Sequence, residues 1–310
     1  MTRLVALLAL LALAAGCAAD TSADTGDGTV TVVATVYPLA WLAEEIAPDA
    51  AVTSLAAGGR DPHALELSPG DRQRLEVADV VVYLGDIGFQ PQVEDAVDAA
   101  RGEVVAAADV VVQAHGEDAL LAISSDHEDD GDAEHATVDP HLWFDPGLLA
   151  PVAEAIGTAL AAADPAQADA YTAAAARVAD ELETLDGEVA ELLDDCAVDR
   201  VVVGHEAYAY LLEPHGLHQE GVSSAAGHAG ASPQRIAELA DLIRAERIPA
   251  VLSEPVEGRQ DADAVAAEAG VEVIEILSLD VVSQEQAAAG YPDLLREQAA
   301  AVARAAGCRS

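Results

Sequence analysis

The stretch Asp164–Leu193, DPAQADAYTAAAARVADELETLDGEVAELL, decides the fold. Its large apolar residues recur at spacings of three, four and seven, which predicts one long amphipathic helix. These residues are Tyr171, Val178, Leu182, Leu185, Val189, Leu192 and Leu193. Asp164 is a favourable N-cap and Pro165 a favourable first helical residue. A helix over 165–195 would be roughly 46 Å long, enough to form a rigid spine between two lobes.

Short apolar strands alternate with helices on both sides of this spine. The predicted strands are 29–36, 52–55 and 80–84 before it, and 198–203, 251–253 and 271–276 after it. Such alternation is typical of parallel βαβ units. We therefore predict an α/β fold with an N-terminal lobe at 29–163, the spine helix at 164–195 and a C-terminal lobe at 196–310.

The composition is strongly acidic. The 310 residues include 56 Asp plus Glu against 14 Lys plus Arg, and none of the 14 is a lysine, so the net charge is −42. Such a surface repels phosphates, so no nucleic acid partner is expected. The charge has two interpretations, a field that concentrates cations or an adaptation to salt and a bias against lysine. We favour the second, because diffuse charge does not select one metal.

The N-terminus has the pattern of a targeting segment. Leu4–Ala15 is an apolar run too short to cross a bilayer, which needs roughly 20 residues. Leu13–Cys17, LAAGC, resembles a bacterial lipobox. We predict a signal peptide at 1–17, a lipid on Cys17 that anchors the chain to a membrane surface, and a flexible tether at 18–28. The alternative is ordinary secretion with cleavage nearby.

Two further cysteines, Cys196 and Cys308, follow in the chain. In an oxidising compartment they could form one disulfide, or they could stay as free thiols. Neither belongs to a Cys-x-x-Cys pair, so the sequence gives no sign of a cysteine zinc site.

Three histidines occur in informative contexts. His63 and His141 each end an Asp-Pro-His tripeptide, and the proline stiffens the turn that carries the imidazole. His205 directly follows a predicted strand. A single histidine of this kind is more often structural, but two copies of one motif and a third strand-end histidine favour a metal site. Neutral imidazole is a common zinc ligand, and zinc takes about four ligands.

Three histidines leave one position for a carboxylate or for water. Asp280 is the candidate carboxylate, since it follows the predicted strand that ends near Ile276. The alternative for Asp280 is a turn-forming role. Residues 115–137 are acidic, include His115, His127 and His135, and are predicted to form a long surface loop.

Several stretches together resemble one known family. The chain looks like the cluster A-I solute-binding proteins of ABC transporters for zinc and manganese, the ZnuA/TroA-like family. The resemblance runs from about Val30 to Ala306. It is carried by Val36–Leu39 (VYPL), Asp61–His63 (DPH), Ala78–Gly85 (ADVVVYLG), Asp139–Pro146 (DPHLWFDP), Gly204–Tyr208 (GHEAY) and Ser253–Pro255 (SEP).

This resemblance implies two α/β lobes with parallel sheets, one long spine helix and a metal site in the cleft between the lobes. It implies four metal ligands, His63, His141, His205 and Asp280, with Glu254 supporting the site from outside the ligand set or filling a buried capping role. It also implies a monomer that delivers its ion to a membrane permease and the permease's ATPase. Manganese members typically have Glu at the third ligand position, so a histidine at 205 favours zinc.

Other functions remain to be compared with zinc delivery. A manganese-binding member of the family is the first alternative, and a surface adhesin is the second, since some relatives are described as binding host matrix. Residues 115–137 occupy the place of a histidine-rich loop in zinc members, and they either gather metal or form a solvated acidic loop. A zinc hydrolase is disfavoured because His205-Glu206 lacks the second histidine of His-Glu-x-x-His at Ala209. We expect binding without catalysis.

Overall fold

The computed structural model describes residues 29–123, 138–222, 231–255 and 259–309. These residues contain two four-stranded sheets. Their strands are β1 (Thr31–Ala34), β2 (Ala51–Ser54), β3 (Val80–Tyr83), β4 (Glu103–Ala106), β5 (Arg200–Val203), β6 (His218–Gly221), β7 (Ala250–Ser253) and β8 (Glu272–Glu275).

The helices cover the sheets and join them. They are α1 (Tyr37–Ile46), α2 (Pro69–Val77), α3 (Pro91–Val97), α4 (Ala107–His115), α5 (Pro146–Ala163), α6 (Ala168–Leu192), α7 (Ala209–Leu212), α8 (Pro233–Glu246), α9 (Arg259–Ala269), α10 (Gln284–Ala287) and α11 (Tyr291–Ala306). Short 3₁₀ turns occur at Glu117–Ala119, Leu142–Phe144 and Glu213–His215.

The two sheets have the same internal order. The first is β2-β1-β3-β4 and the second is β6-β5-β7-β8, and every pairing is parallel. In the first sheet Val32 lies opposite Val52 on one side and Val80 on the other. The predicted fold class, two α/β lobes with parallel sheets and a long helix, is confirmed. In a parallel sheet the carboxyl ends of the strands share one edge, where loops can bring ligands together.

The sequence pattern missed both β4 and β6. Each is an outer strand, and each carries polar residues where a central strand carries valine. β4 begins at the exposed Glu103, and β6 is His-Gln-Glu-Gly. An outer strand is paired on one side only and can face solvent, so its residues need no continuous apolar run.

The long helix begins later than the sequence suggested. α6 starts at Ala168 and ends at Leu192, so the prediction of 164–195 was wrong at both ends. Asp164 instead ends α5, where its N–H donates to the Leu160 carbonyl oxygen. The Asp164 carboxylate accepts the N–H of Ala166 at 3.1 Å. Asp-Pro therefore makes the turn between two helices rather than the cap of the second.

The buried face of α6 follows the predicted apolar pattern, with Val178, Leu182, Leu185 and Val189 all buried. This helix contacts both α1 and α11. It therefore touches helices that pack on both sheets, as expected of a spine.

Helix α5 packs along α6 at very close range. A Cβ placed on Gly157 would lie 2.4 Å from the Cβ of Ala175, so only glycine fits at that crossing. Among the described residues α5 is the one helix long and apolar enough to cross a membrane by length and composition. More than half of it is buried inside the protein, which fits the core helix of a folded domain.

One hydrophobic core runs through both halves of the chain. The same buried cluster includes residues of β1 and β3, of α5 and α6, and of β5, β7 and α11. Hydrogen bonds also join the halves. Tyr37 N–H donates to the Asp280 carbonyl at 2.9 Å, and Tyr210 Oη–H donates to the Asp139 carbonyl at 3.1 Å. The two lobes are thus held in a fixed relation.

The predicted loop at 115–137 and the predicted N-terminal segments lie partly or wholly outside the described residues. His115 ends α4 rather than opening a loop, and Ala122 pairs with Val138 at the base of the 115–137 segment. His127 and His135 lie outside the described residues, as do the predicted signal peptide, Cys17 and the tether at 18–28. The residue bounds proposed for the lobes stay predictions.

Cys196 and Cys308 are joined by a disulfide that closes a separation of 112 residues. It ties the segment after α6 to the end of α11. A cross-link over so long a loop restricts the unfolded chain, which typically stabilises the folded state by about 2–4 kcal/mol.

We therefore expect the double variant Cys196→Ser/Cys308→Ser to lose about 2–4 kcal/mol of unfolding free energy in urea titrations. Wild-type protein treated with a reductant should show the same loss, and the reductant should have no effect on the double variant. Equal stability of wild type and variant under oxidising conditions would contradict the bond.

Asp145 is a second point where stability depends on conditions. Its side chain caps α5 by accepting the N–H of Leu148 at 3.2 Å. Burial and the nearby carboxylate of Asp186 together raise the pKa of Asp145 to about 6. A carboxyl group whose pKa is higher in the folded state than in the unfolded state favours folding while it is protonated. This contribution to stability is lost as the pH rises from the ordinary pKa of an aspartate, 3.8, through about 6.

Asp145→Asn keeps the capping oxygen and removes the charge. The variant should be more stable than wild type by about 1–2 kcal/mol above pH 7, and the difference should vanish near pH 4. Urea unfolding followed by circular dichroism across this range measures it. Asp164→Asn is the matched control, because Asp164 also accepts a backbone N–H in a turn. A pH-independent difference for Asp145→Asn would refute the interpretation.

Candidate metal centre

Three imidazole rings converge at one point of the structure. The ligating atoms of His63, His141 and His205 all lie within 4.8 Å of one another. The ring centroids are 5.3–5.4 Å apart in each pair. His141 and His205 are buried and His63 is half-buried. The three histidines singled out from the sequence are therefore neighbours in space, although 142 positions separate the first from the last.

The repeated Asp-Pro-His motif forms the same turn twice. The carboxylate of Asp61 accepts the N–H of His63 at 2.8 Å, and the carboxylate of Asp139 accepts the N–H of His141 at 2.9 Å. The intervening proline has no N–H, so the aspartate bonds the next one along the chain. The motif thus forms a tight turn, stabilised by its own aspartate, that positions the histidine.

Two of the rings are oriented by carboxylates. His141 Nδ1 lies 2.7 Å from Asp139 Oδ1, and His205 Nδ1 lies 3.0 Å from Glu254 Oε1. Tyr208 Oη also donates to Glu254 Oε1, at 3.2 Å. A carboxylate at Nδ1 holds the proton there and leaves Nε2 with its lone pair for an ion.

The Nε2 atom of His141 fits this role. It is buried and has no hydrogen-bond partner among the residues that the structure describes. A buried polar atom without a partner costs roughly 1–3 kcal/mol, so it calls for an explanation. A cation bound between the three rings would supply the missing partner.

His63 is positioned differently from the other two histidines. Its ring packs edge-on against Phe89 with the centroids 4.7 Å apart. Gln90 Nε2 donates to the carbonyl oxygen of Pro62 at 3.3 Å and so holds the turn from the α3 side. Gly58 and Gly59, which precede the turn, both have left-handed φ values of 76° and 79°. His63 therefore follows a glycine-containing loop, whereas the rings of His141 and His205 contact buried carboxylates.

Asp280 is buried beside the histidines but outside the group defined by the 4.8 Å spacing. Its Oδ1 accepts the Ser278 hydroxyl at 2.6 Å and the Val281 N–H at 2.8 Å. Burial raises the pKa of Asp280, and Glu254 raises it as well, while the Ser278 hydrogen bond and His141 lower it. The side chain of Asp280 thus lies in the electrostatic environment of His141 and Glu254, and its role as a ligand stays a prediction.

Comparison with known proteins identifies the family. The family described as "ZnuA: Zinc-uptake complex component A periplasmic" matches residues 32–305. The chain belongs to the ZnuA family. This match covers most of the chain and includes all four predicted ligands.

Among curated relatives, the zinc-binding lipoprotein AdcA of Streptococcus pneumoniae is 28% identical over 268 residues, covering 85% of this chain and 53% of AdcA. The chain therefore spans about half the length of that relative. The manganese-binding lipoprotein MntA of Bacillus subtilis is 30% identical over 255 residues, covering 81% of this chain and 79% of MntA.

Solved structures share the fold. The periplasmic zinc-binding protein TroA from Treponema pallidum aligns with a TM-score of 0.75 at 22% identity, over 90% of this chain and 99% of TroA. The laminin-binding protein Lmb of Streptococcus agalactiae, described as having adhesin and metal transporting activity, aligns with a TM-score of 0.73 at 23% identity, over 89% of this chain and 99% of Lmb. At these identities the likeness concerns the fold alone.

Some residues of the site were not found from the sequence. Asp139 was noted only as part of a motif, although it orients His141. Phe89, Gln90 and Ser278 had no sequence signal at all, because their roles depend on contacts between distant segments. Glu254 is expected either to support the site or to cap a buried group. Its carboxylate contacts His205 Nδ1, and its role stays a prediction.

The carboxylates at Nδ1 give a direct test of the centre. We expect Asp139→Asn and Glu254→Gln each to weaken zinc binding by about 10–100-fold while leaving one zinc per chain, because each removes a group that orients a ligand. Titration against a chelating indicator measures both. Glu213→Gln is the matched control, since Glu213 bonds His218 Nδ1 at 2.9 Å in an exposed pair elsewhere. Unchanged affinity in both site variants would show that these two carboxylates do not support the ligands.

Proposed function

We propose that this chain is an extracytoplasmic zinc-binding protein that delivers Zn²⁺ to an ABC-type importer. The observation that carries the proposal is the convergence of three imidazoles whose ligating atoms lie within 4.8 Å of one another. His63, His141 and His205 bind the ion through neutral nitrogens, and Asp280 completes the set with one carboxylate. Zinc commonly takes four such nitrogen and oxygen ligands in tetrahedral geometry.

Manganese is the second candidate ion, and the MntA relative is the observation that favours it. Manganese prefers oxygen ligands and higher coordination numbers. A set with three nitrogens and one carboxylate suits zinc better, so we favour zinc as the transported ion. The zinc-binding AdcA relative supports the same choice.

The chain binds its ion without chemical turnover. A catalytic zinc site keeps a position open for an exchangeable water, whereas four protein ligands close the site. Membrane attachment through a lipid on Cys17 would hold the protein beside its permease, and the lipoprotein names of AdcA and MntA support this. The permease and its ATPase are the expected partners, and the chain itself acts as a monomer.

Substitution of single ligands tests the function. Wild-type protein should bind one zinc per chain in isothermal titration calorimetry, with manganese much weaker. His63→Ala, His141→Ala and His205→Ala should each weaken zinc binding by at least about 100-fold, which is more than is typical for the loss of a supporting group. His218→Ala, at an exposed histidine paired with Glu213, should bind as wild type. Wild-type zinc affinity retained by all three site variants would refute the proposal.

A further inference from the structure

The two oxygens of the Asp280 carboxylate are in different situations. Oδ1 accepts two hydrogen bonds, from the Ser278 hydroxyl at 2.6 Å and from the Val281 N–H at 2.8 Å. Oδ2 accepts none from the residues that the structure describes. A carboxylate oxygen has about two lone-pair directions, so two donors fill the capacity of Oδ1. Only Oδ2 is left with its lone pairs for an ion.

The backbone is bent to make this arrangement. Leu279, between the two residues, has a φ of 62°, and its side chain is fully buried. A left-handed conformation is rare for a bulky residue and is energetically unfavourable. It lets the side chains of Ser278 and Asp280 meet although they are two residues apart. Strain of this kind persists only where surrounding contacts hold it.

Contacts from the other half of the chain hold both sides of the bend. Trp143 Nε1 donates to the backbone carbonyl of Ser278 at 2.7 Å, and Tyr37 N–H donates to the backbone carbonyl of Asp280 at 2.9 Å. Trp143 also packs on His141, with the ring centroids 5.2 Å apart. The same ring therefore touches a predicted ligand and fixes the residue that holds Asp280.

We propose that Ser278 is a specificity-determining residue that restricts Asp280 to one coordinating oxygen. This rests on the proposed function, in which Asp280 is a zinc ligand. With Oδ1 occupied by the serine hydroxyl, the carboxylate contributes one oxygen and the ion has three nitrogens and one oxygen around it. Four ligands satisfy zinc but leave manganese short of the six that it prefers.

Removal of the hydroxyl should relax this restriction. In Ser278→Ala, Oδ1 loses its shorter hydrogen bond and gains a free lone pair, so both carboxylate oxygens can approach the ion. The backbone carbonyl that Trp143 contacts is retained, so the bend at Leu279 should survive. Coordination can then rise from four to five, a change that zinc sites tolerate.

The experiment uses Co²⁺ as a probe and compares zinc with manganese binding. Wild-type protein with Co²⁺ should have the intense visible absorption of a four-coordinate ion, and Ser278→Ala should have the weaker bands of a five-coordinate one. The ratio of manganese to zinc dissociation constants should fall by about 10-fold in Ser278→Ala, the lower end of the effect of groups that hold a ligand. Ser283→Ala is the matched control, because this serine uses its hydroxyl to cap α10 by accepting the Gln286 N–H.

Two outcomes distinguish a wrong assignment of Asp280 as a ligand from a wrong role for Ser278. If Asp280→Ala binds zinc as tightly as wild type, Asp280 is not a ligand and this inference falls, while the three histidine variants still test the proposed function. If Asp280→Ala weakens zinc binding but Ser278→Ala keeps the wild-type cobalt spectrum and selectivity, Ser278 does not set the denticity. Thermal unfolding of each variant establishes that the fold is retained.

Discussion

An imidazole is a useful ligand only when its proton is on the nitrogen that faces away from the ion. At His141 and His205 a carboxylate 2.7–3.0 Å from Nδ1 sets this condition. The carboxylates come from different places, since Asp139 belongs to the same turn as its histidine and Glu254 follows β7, 49 residues after its partner. The first contact is local and forms with the turn. The second needs the completed sheet, because β5 and β7 must pair before His205 and Glu254 can meet.

The same requirement explains the single core. Ligating atoms that must lie within 4.8 Å of one another come from a loop after β2, from a turn before α5 and from the end of β5. Two lobes joined by a loose linker would not keep such spacing. The shared core through α5, α6 and α11 and the close crossing at Gly157 make the two halves one rigid body in this respect. The Tyr37 and Tyr210 hydrogen bonds cross between the halves next to the ligands themselves.

Much of this organisation could be predicted from the sequence, and the failures have physical causes. Central strands such as β3 are buried on both faces and appear as valine runs, whereas β4 and β6 lie at sheet edges and carry polar residues. The start of α6 was misplaced because Asp-Pro is equally suited to a helix cap and to an interhelical turn. His63 and His141 could be predicted because their turns are encoded locally, and His205 because it follows a valine-rich strand. Ser278 could not, because its role comes from a bend that distant residues hold in place.

The candidate metal centre differs from the acidic surface in how it attracts a cation. A net charge of −42 attracts every cation, and salt screens such diffuse attraction over about 10 Å. The carboxylate of Asp280 inside the centre is buried instead of exposed to solvent. Burial raises its pKa and thereby disfavours its charged form in the absence of a cation. A divalent ion among three neutral rings would offset that cost and complete the coordination of His141 Nε2. In the proposed site, affinity arises from a small number of buried, desolvated groups, and selectivity from how many oxygens the protein leaves available to the ion.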